Sequence, residues 1–206
     1  KGSLLRTATA KTRTTRGGIV DSLRQEIISG VYPPGCLFPT RTDLQQRFDT
    51  TPVTIQHAMD QLCREGFIYS NGRRATHVSL KPPHLYHYAM VFTSVPPADM
   101  VGWSRFFVTL VNVATSLSGT NGNPRWITVH YGVDSHGDGR EVKVLEAAMR
   151  SHCYAGFIFP EEPFGSGLAY TPIGSEPGMP RVTIRKVPAS GMAAVALDGQ
   201  SLVDKA

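Results

Sequence analysis

The side chains able to do covalent or metal chemistry are few in this 206-residue chain, and they do not stand at productive spacings. His130, His136 and His152 are not spaced as a metal motif, and His152-Cys153 at a helix end reads as structural. Gly165-Ser166-Gly167 is a loop that lacks the residue on each side of serine required by a nucleophile elbow. Asp134 with Glu141, or with Glu161-Glu162, has the types for an acid and base pair, but nothing in the sequence places them together. No glycine fingerprint for a dinucleotide follows Val91 to Ser94, and no G-x-x-x-x-G-K phosphate loop occurs. The three cysteines, Cys36, Cys63 and Cys153, are odd in number and hold no C-x-x-C pair. They support neither a disulfide framework nor a thiolate zinc site, and a reducing cytosol is the expectation. Neither catalysis nor a cofactor nor a metal is expected.

The charge pattern points to a different chemistry. The formal net charge is +5. Residues 1–80 hold eleven Lys and Arg against six Asp and Glu, whereas residues 81–206 hold ten of each, so the whole excess lies in the first part. Such asymmetry raises the expectation of a polyanionic partner near the N-terminus. With 41% hydrophobic and 18% charged residues, a wholly disordered chain is excluded, and one large or two small domains fit the length. The longest uncharged apolar stretches, such as Phe106 to Val113 and Met192 to Leu197, fall far short of the roughly 20 residues of a membrane span. Lys1 to Gly18 shows no secretory signal, and the absence of an initiator Met suggests a fragment.

The elements that would carry a polyanion site follow from periodicity. Residues 1–17, rich in Thr and basic residues, read as a flexible basic arm. Ile19, Leu23, Ile27 and Ile28 form one apolar helix face ending at Gly30. Pro33-Pro34-Gly35 enforces a turn, and Thr40 stands ready to cap a short helix carrying Leu44 and Phe48. Thr51-Pro52 supplies a cap and a first-turn proline for a third helix, whose Ile55, Ala58, Met59 and Leu62 fall on one face before Gly66. Phe67-Ile68-Tyr69, a turn at Ser70-Asn71-Gly72, and Thr76 to Ser79 read as a hairpin. Three helices with a tight turn, then a hairpin, make a winged helix-turn-helix over residues 18–80.

The stretch GGIVDSLRQEIISGVYPPGCLFPTRTDLQQRFDTTPVTIQHAMDQLCREGFIYSNGRRATHV resembles the DNA-binding domain of GntR-type bacterial transcription regulators. The resemblance covers residues 18–78 and joins I-x-S-G-x-x-P-P-G, F-P-T-R-x-x-L, T-I-x-x-A-M-x-x-L-x-x-x-G-F-I and a basic wing in the family's order. Where the family usually reads Ser-Arg-x-Thr-Val-Arg, this chain has Thr51, Pro52, Val53, Thr54, Ile55 and Gln56, so both arginines are missing. The resemblance therefore implies groove contacts from Thr51, Pro52, Thr54, Gln56 and His57, with a changed preferred sequence. Gln pairs bidentately with an adenine edge and Thr touches a thymine methyl or a phosphate. The alternative is that Gln56 and His57 are solvated. Arg41 stands one residue ahead of the family's basic position, which Thr42 occupies. Arg73 and Arg74 at the hairpin tip, with Thr76 beside them, suit phosphate or minor-groove contact. Arg47 and Arg64 read as solvated or ion-paired.

After a linker at residues 81–84, strand-like and helix-like segments alternate: Leu85 to Ser94, Gly102 to Leu117, Trp126 to Val133, Arg140 to Cys153 and Ala155 to Phe159. Two further strands, Arg181 to Val187 and Ala193 to Asp198, precede a helix start at Gly199 to Ala206. This order predicts a parallel sheet covered by helices, with ligands outside the carboxyl ends of the strands. A wing followed by such a sheet resembles regulators with a LacI/GalR-type sensor, itself similar to periplasmic sugar-binding proteins. The carrying residues are YAMVFTSVPP, the helix Trp103 to Leu117, G-F-I-F-P at 156–160, M-P-R-V-T-I, and V-A-L-D at 195–198. The resemblance implies that residues 85–206 are the first of two lobes. It also implies effector contacts from Ser94, Trp103, Phe106, Asp134, Glu161 and Arg185, in the pattern of an apolar pocket with a few placed polar groups. Trp103 and Phe106 serve equally well as core or dimer surface.

The fold class is thus α/β overall, an N-terminal winged helix-turn-helix plus a C-terminal parallel-sheet lobe of a periplasmic-binding-protein-like domain. The expected function is a cytoplasmic, homodimeric, sequence-specific transcription repressor on double-stranded operator DNA, controlled by a small-molecule effector, a sugar by resemblance. The alternatives are an α/β enzyme or transaminase-like fusion carrying a DNA-binding wing, and a DNA-binding protein whose α/β half only dimerises.

Overall fold

The computed structural model describes residues 15–70, 75–97, 103–118, 124–134, 139–161, 167–184 and 192–196. The chain divides into two compact units, with the boundary between Leu80 and Lys81.

The first unit holds α1 (Arg16–Ile28), α2 (Arg41–Phe48), α3 (Pro52–Arg64), β1 (Ile68–Ser70) and β2 (Thr76–Val78). Thr15 caps α1, its hydroxyl accepting from the Gly18 N–H at 3.3 Å. The helix thus begins inside the segment expected to be arm, because Arg16-Gly17-Gly18 has no apolar periodicity to announce it. Residues 1–14 of that arm lie outside the described residues. At α2, Thr40 and Asp43 form a reciprocal capping box, and Asp49 closes the helix with a left-handed backbone, φ 49°. Thr51 caps α3 and Pro52 opens its first turn. Ile19, Leu23, Ile27, Leu44, Ile55, Ala58 and Leu62 are buried together with Phe38 and Phe67, as the helix spacing requires. β1 and β2 pair antiparallel, Ile68 opposite Val78, and Leu37 adds a bridge to His77.

Arg24 is the charged residue of this core, 3% exposed. It donates to Asp21 at 2.6 Å and to Glu65 at 2.7 Å, and its guanidinium lies 5.7 Å from the Phe67 ring centre. Paired in this way, a buried cation avoids most of the cost of losing water.

The second unit holds α4 (Pro83–Tyr86), β3 (His87–Val91), α5 (Arg105–Leu117), β4 (Trp126–His130), α6 (Arg140–Arg150) and β5 (Gly156–Phe159). A 3₁₀ turn (Leu168–Tyr170), α7 (Pro172–Ser175), β6 (Arg181–Ile184) and β7 (Ala193–Val195) follow. All strand pairs are parallel, in the order β4-β3-β5-β6-β7. The one-turn helix α4 takes up two residues of the expected linker and delays β3 to His87, since proline presets the first helical position. The turn and α7 between β5 and β6 were not expected. The helix start placed at Gly199 to Ala206 lies outside the described residues. One sheet face packs Ala89, Val91, Phe157 and Phe159 on α6 and α7 through Leu145, Met149 and Ile173. The other packs Met90 and Phe92 on Ala114, Phe107 and Leu110 of α5. Because β3 has β4 on one side and β5 on the other, the strand order reverses at the carboxyl ends of β3 and β5.

Candidate nucleic-acid interface and the crevice of the parallel sheet

The buried stripe of α3, Ile55, Ala58, Met59 and Leu62, fixes the roll of the helix, and Val53, His57, Asp60 and Arg64 are left exposed. Thr51 and Pro52 are exposed at its start, while Thr54 is half-buried. The Thr51 hydroxyl accepts from the Thr54 N–H at 3.3 Å, and the two hydroxyl oxygens are 2.9 Å apart. Both threonines are therefore engaged in the cap.

Gln56 is half-buried, and its Nε2 donates to Asp60 Oδ1 at 2.6 Å. Its Oε1 is buried and has no partner among the described residues. The expected adenine-reading amide is thus held within the helix.

Arg41 and Thr42 are exposed in the first turn of α2, beside the capping box. Hydrogen bonds from the Thr40 hydroxyl and backbone hold the Asp43 carboxyl below its ordinary range. Thr76 is half-buried in β2, and its carbonyl accepts from the Phe38 N–H at 2.8 Å. Arg73 and Arg74 lie outside the described residues. Arg47 is bound to Glu26 and stacks on Phe48 at 4.9 Å, and that hydrogen bond, against the opposing effect of burial, lowers the Glu26 carboxyl.

Sequence reasoning passed over Arg16, Val53 and Asp60. Arg16, His57, Asp60, Gln61 and Arg64 line a hollow of about 440 Å³ on this unit. The four-residue step from Gln56 to Asp60 was visible as a helical pair. Val53 was visible as an apolar residue off the buried stripe, suited to a thymine methyl.

At the carboxyl ends of β3 and β5 the structure brings Ser94 and Glu161 together. One Glu161 oxygen accepts from the Thr93 N–H at 2.8 Å, the Thr93 hydroxyl at 2.8 Å and the Ser94 N–H at 2.9 Å. The other accepts from the Ser94 hydroxyl at 2.5 Å. Burial pushes the Glu161 carboxyl up, but these donors outweigh it and hold it below its usual range. Both side chains are satisfied by each other, at the point where an open sheet of this order usually takes a ligand. Trp103 packs into an aromatic cluster with Phe92, Phe107 and Tyr131, with ring centres 5.1 to 5.8 Å apart, and its Nε1 is buried without a partner among the described residues. Phe106 is half-buried beside Phe107, Asp134 is half-buried past the end of β4, and Arg185 lies outside the described residues. A cavity of about 220 Å³ lies elsewhere, under α5, between Tyr88, Leu117, Arg125, Ile127 and Ile158.

A second polar group sits on the α6 side of the sheet. His87 Nδ1 is 2.9 Å from the Cys153 carbonyl and Nε2 is 2.7 Å from the Thr128 hydroxyl. A carbonyl only accepts, so Nδ1 carries the proton and Nε2 accepts from Thr128. Burial pushes the His87 imidazole down to about 4, partly offset by the Cys153 carbonyl, with nearby His130 adding to the lowering. Burial also lowers His130, whose Nε2 is 2.9 Å from the Tyr154 hydroxyl, and pushes that phenol up to about 12. His152 ends α6 with φ 51°, a helix-terminating conformation. Among the described residues, no cluster of three or more His, Cys, Asp or Glu is placed to hold a metal, and no helix is long and apolar enough to cross a membrane.

The family model for bacterial regulatory proteins of the gntR family matches residues 15–78. No curated protein matches the chain. Among solved structures, a GntR family transcriptional regulator from Listeria monocytogenes is 25% identical over 32% of this chain and 57% of its own, with a TM-score of 0.31. A GntR protein from Streptococcus agalactiae is 24% identical over 32% of each chain, TM-score 0.30. YtrA from Sulfolobus acidocaldarius, a GntR-family transcription factor, is 16% identical over 73% of this chain and 97% of its own, TM-score 0.29. The chain spans 57% and 32% of the lengths of the first two. Residues 15–78, three helices followed by a two-stranded hairpin, thus fold as a winged helix-turn-helix and are similar to the gntR family of bacterial regulatory proteins.

Proposed function

We propose that this chain is a sequence-specific, DNA-binding transcription regulator, acting as a homodimeric cytoplasmic repressor whose α/β unit senses a small molecule. The observation that carries the reading is the helix α3 start. A threonine cap and a first-turn proline present Val53 and His57 outward on a domain of the gntR family. Arg41 and Thr42 of α2, and Arg73, Arg74 and Thr76 of the wing, supply phosphate contacts in this reading. Phosphate contacts give affinity that falls with salt, and base contacts give sequence preference. The parallel order of the sheet supports a sensor of the LacI/GalR type with a sugar as effector, bound near Ser94, Trp103, Phe106, Asp134, Glu161 and Arg185. The effector regulates only if it binds two states of the dimer with different affinity.

One observation favours a second reading, in which the α/β unit only dimerises. Ser94 and Glu161 already satisfy each other at the crevice. Binding of the full-length protein to its own promoter DNA, measured across a salt series with and without a panel of simple sugars, separates the two. Selective, salt-sensitive binding altered by one sugar supports the sensor. Selective binding indifferent to every sugar supports the dimerisation reading, and absence of selective binding rejects both.

A further inference from the structure

We propose that Asp60 sets the base preference of this domain by withholding Gln56 from the groove. The inference rests on the DNA-binding reading above. A carboxylate has no proton to donate, so the atom of Gln56 that meets Asp60 Oδ1 at 2.6 Å is the amide nitrogen. The orientation of the amide follows, and Oε1 turns inward, buried and without a partner among the described residues. Adenine recognition by glutamine needs both atoms at once, the nitrogen donating to N7 and the oxygen accepting from N6. Here one is engaged by Asp60 and the other is covered by protein. Among the groups left facing out of α3 are Val53, 63% exposed, and His57. Asp60 is exposed too and shares its hollow with Arg16, His57 and Arg64, so it also brings negative charge to a surface meant for phosphate. Asp60 is in these terms a positioning residue, acting through Gln56.

The hydrogen bond and the charge are separable by substitution. Asp60→Asn keeps an oxygen that accepts from Gln56 and removes the charge. Asp60→Ala removes both and frees the amide. The experiment is selection of bound sites from a randomised DNA pool by the full chain and by D60N, D60A, Q56A and D60A/Q56A, with helical circular dichroism checked for each. D60N should select the wild-type sequence with affinity raised about threefold, through reduced repulsion of phosphate. D60A should gain a preference of about tenfold for adenine at one position of each half-site. Q56A should select the wild-type sequence, and D60A/Q56A should lose the new adenine. A wild-type consensus that Q56A alters, or that D60A leaves unchanged, overturns the inference while the DNA-binding reading stands. A folded wild-type chain that selects no sequence overturns both.

Discussion

The two units keep their buried polar groups in opposite ways. In residues 15–80 the buried cation Arg24 is neutralised by Asp21 and Glu65, and the half-buried Glu26 by the exposed Arg47, so full charges meet full charges. In residues 81–206 the half-buried histidines His87 and His130 face a carbonyl, a threonine hydroxyl and a tyrosine hydroxyl, and Glu161 faces hydroxyls and backbone N–H groups. The first arrangement tolerates acid until its carboxylates titrate. The second begins to lose stability where an ordinary histidine takes up a proton.

Both tryptophans, Trp103 and Trp126, belong to the second unit, so their fluorescence reports on that unit alone. Phe157→Ala is the largest expected break in the comparison. It empties a fully buried ring site against Tyr154 and Phe159 and should cost about 3–5 kcal/mol. The fluorescence-detected melt should collapse while the helical signal of residues 15–80 persists, and a single coincident transition would show that the units are not independent. Arg24→Ala works on the other side, leaving Glu65 without its cation and costing the first unit about 3 kcal/mol. An unchanged fluorescence melt with a lowered circular dichroism melt is the expected result.

Acidification should produce the smallest effect. The native imidazole of His87 is lowered to about 4, below the ordinary 6.5 of the unfolded chain. Stability from the neutral ring is complete above pH 6.5 and is lost as pH falls from there toward 4, because only the unfolded state takes up the proton. Glu26 and Glu161 are also lowered, which makes their contributions complete above the ordinary 4.5 and lost only below it. Melts at pH 7 and pH 5 should therefore lower the fluorescence transition by a few degrees and leave the first unit nearly unmoved. Equal shifts of both would reject the assignment to the histidines.

Helix positions were legible where caps and apolar spacing agree, as at Thr51-Pro52 and the Ile55 to Leu62 stripe. They were misplaced where the first turn is apolar-poor, as at Arg16-Gly17-Gly18, or where proline turns a strand start into a helix turn, as at Pro83. Between β5 and β6 the glycine- and proline-rich sequence hid α7, since a one-turn helix shows no period. The site was less legible than the fold. Nothing local to Glu161 announces that its donors are Thr93 and Ser94, which lie on another strand end. For Gln56 the reverse holds. Its partner was four residues away on the same helix, and reading each residue for its own contact with DNA concealed that two side chains contact each other first.

Arg24 has a mechanical consequence as well as an electrostatic one. It projects from α1, bonds the residue that ends α3, and lies over Phe67 at the threshold of β1. Three parts of the domain thus share one bolt. Because packed, hydrogen-bonded contacts transmit displacement with little slack, a rotation of α1 carries both α3 and the base of the hairpin. A displacement of α1 therefore reaches α3 and the β1–β2 hairpin through one shared contact rather than by two routes.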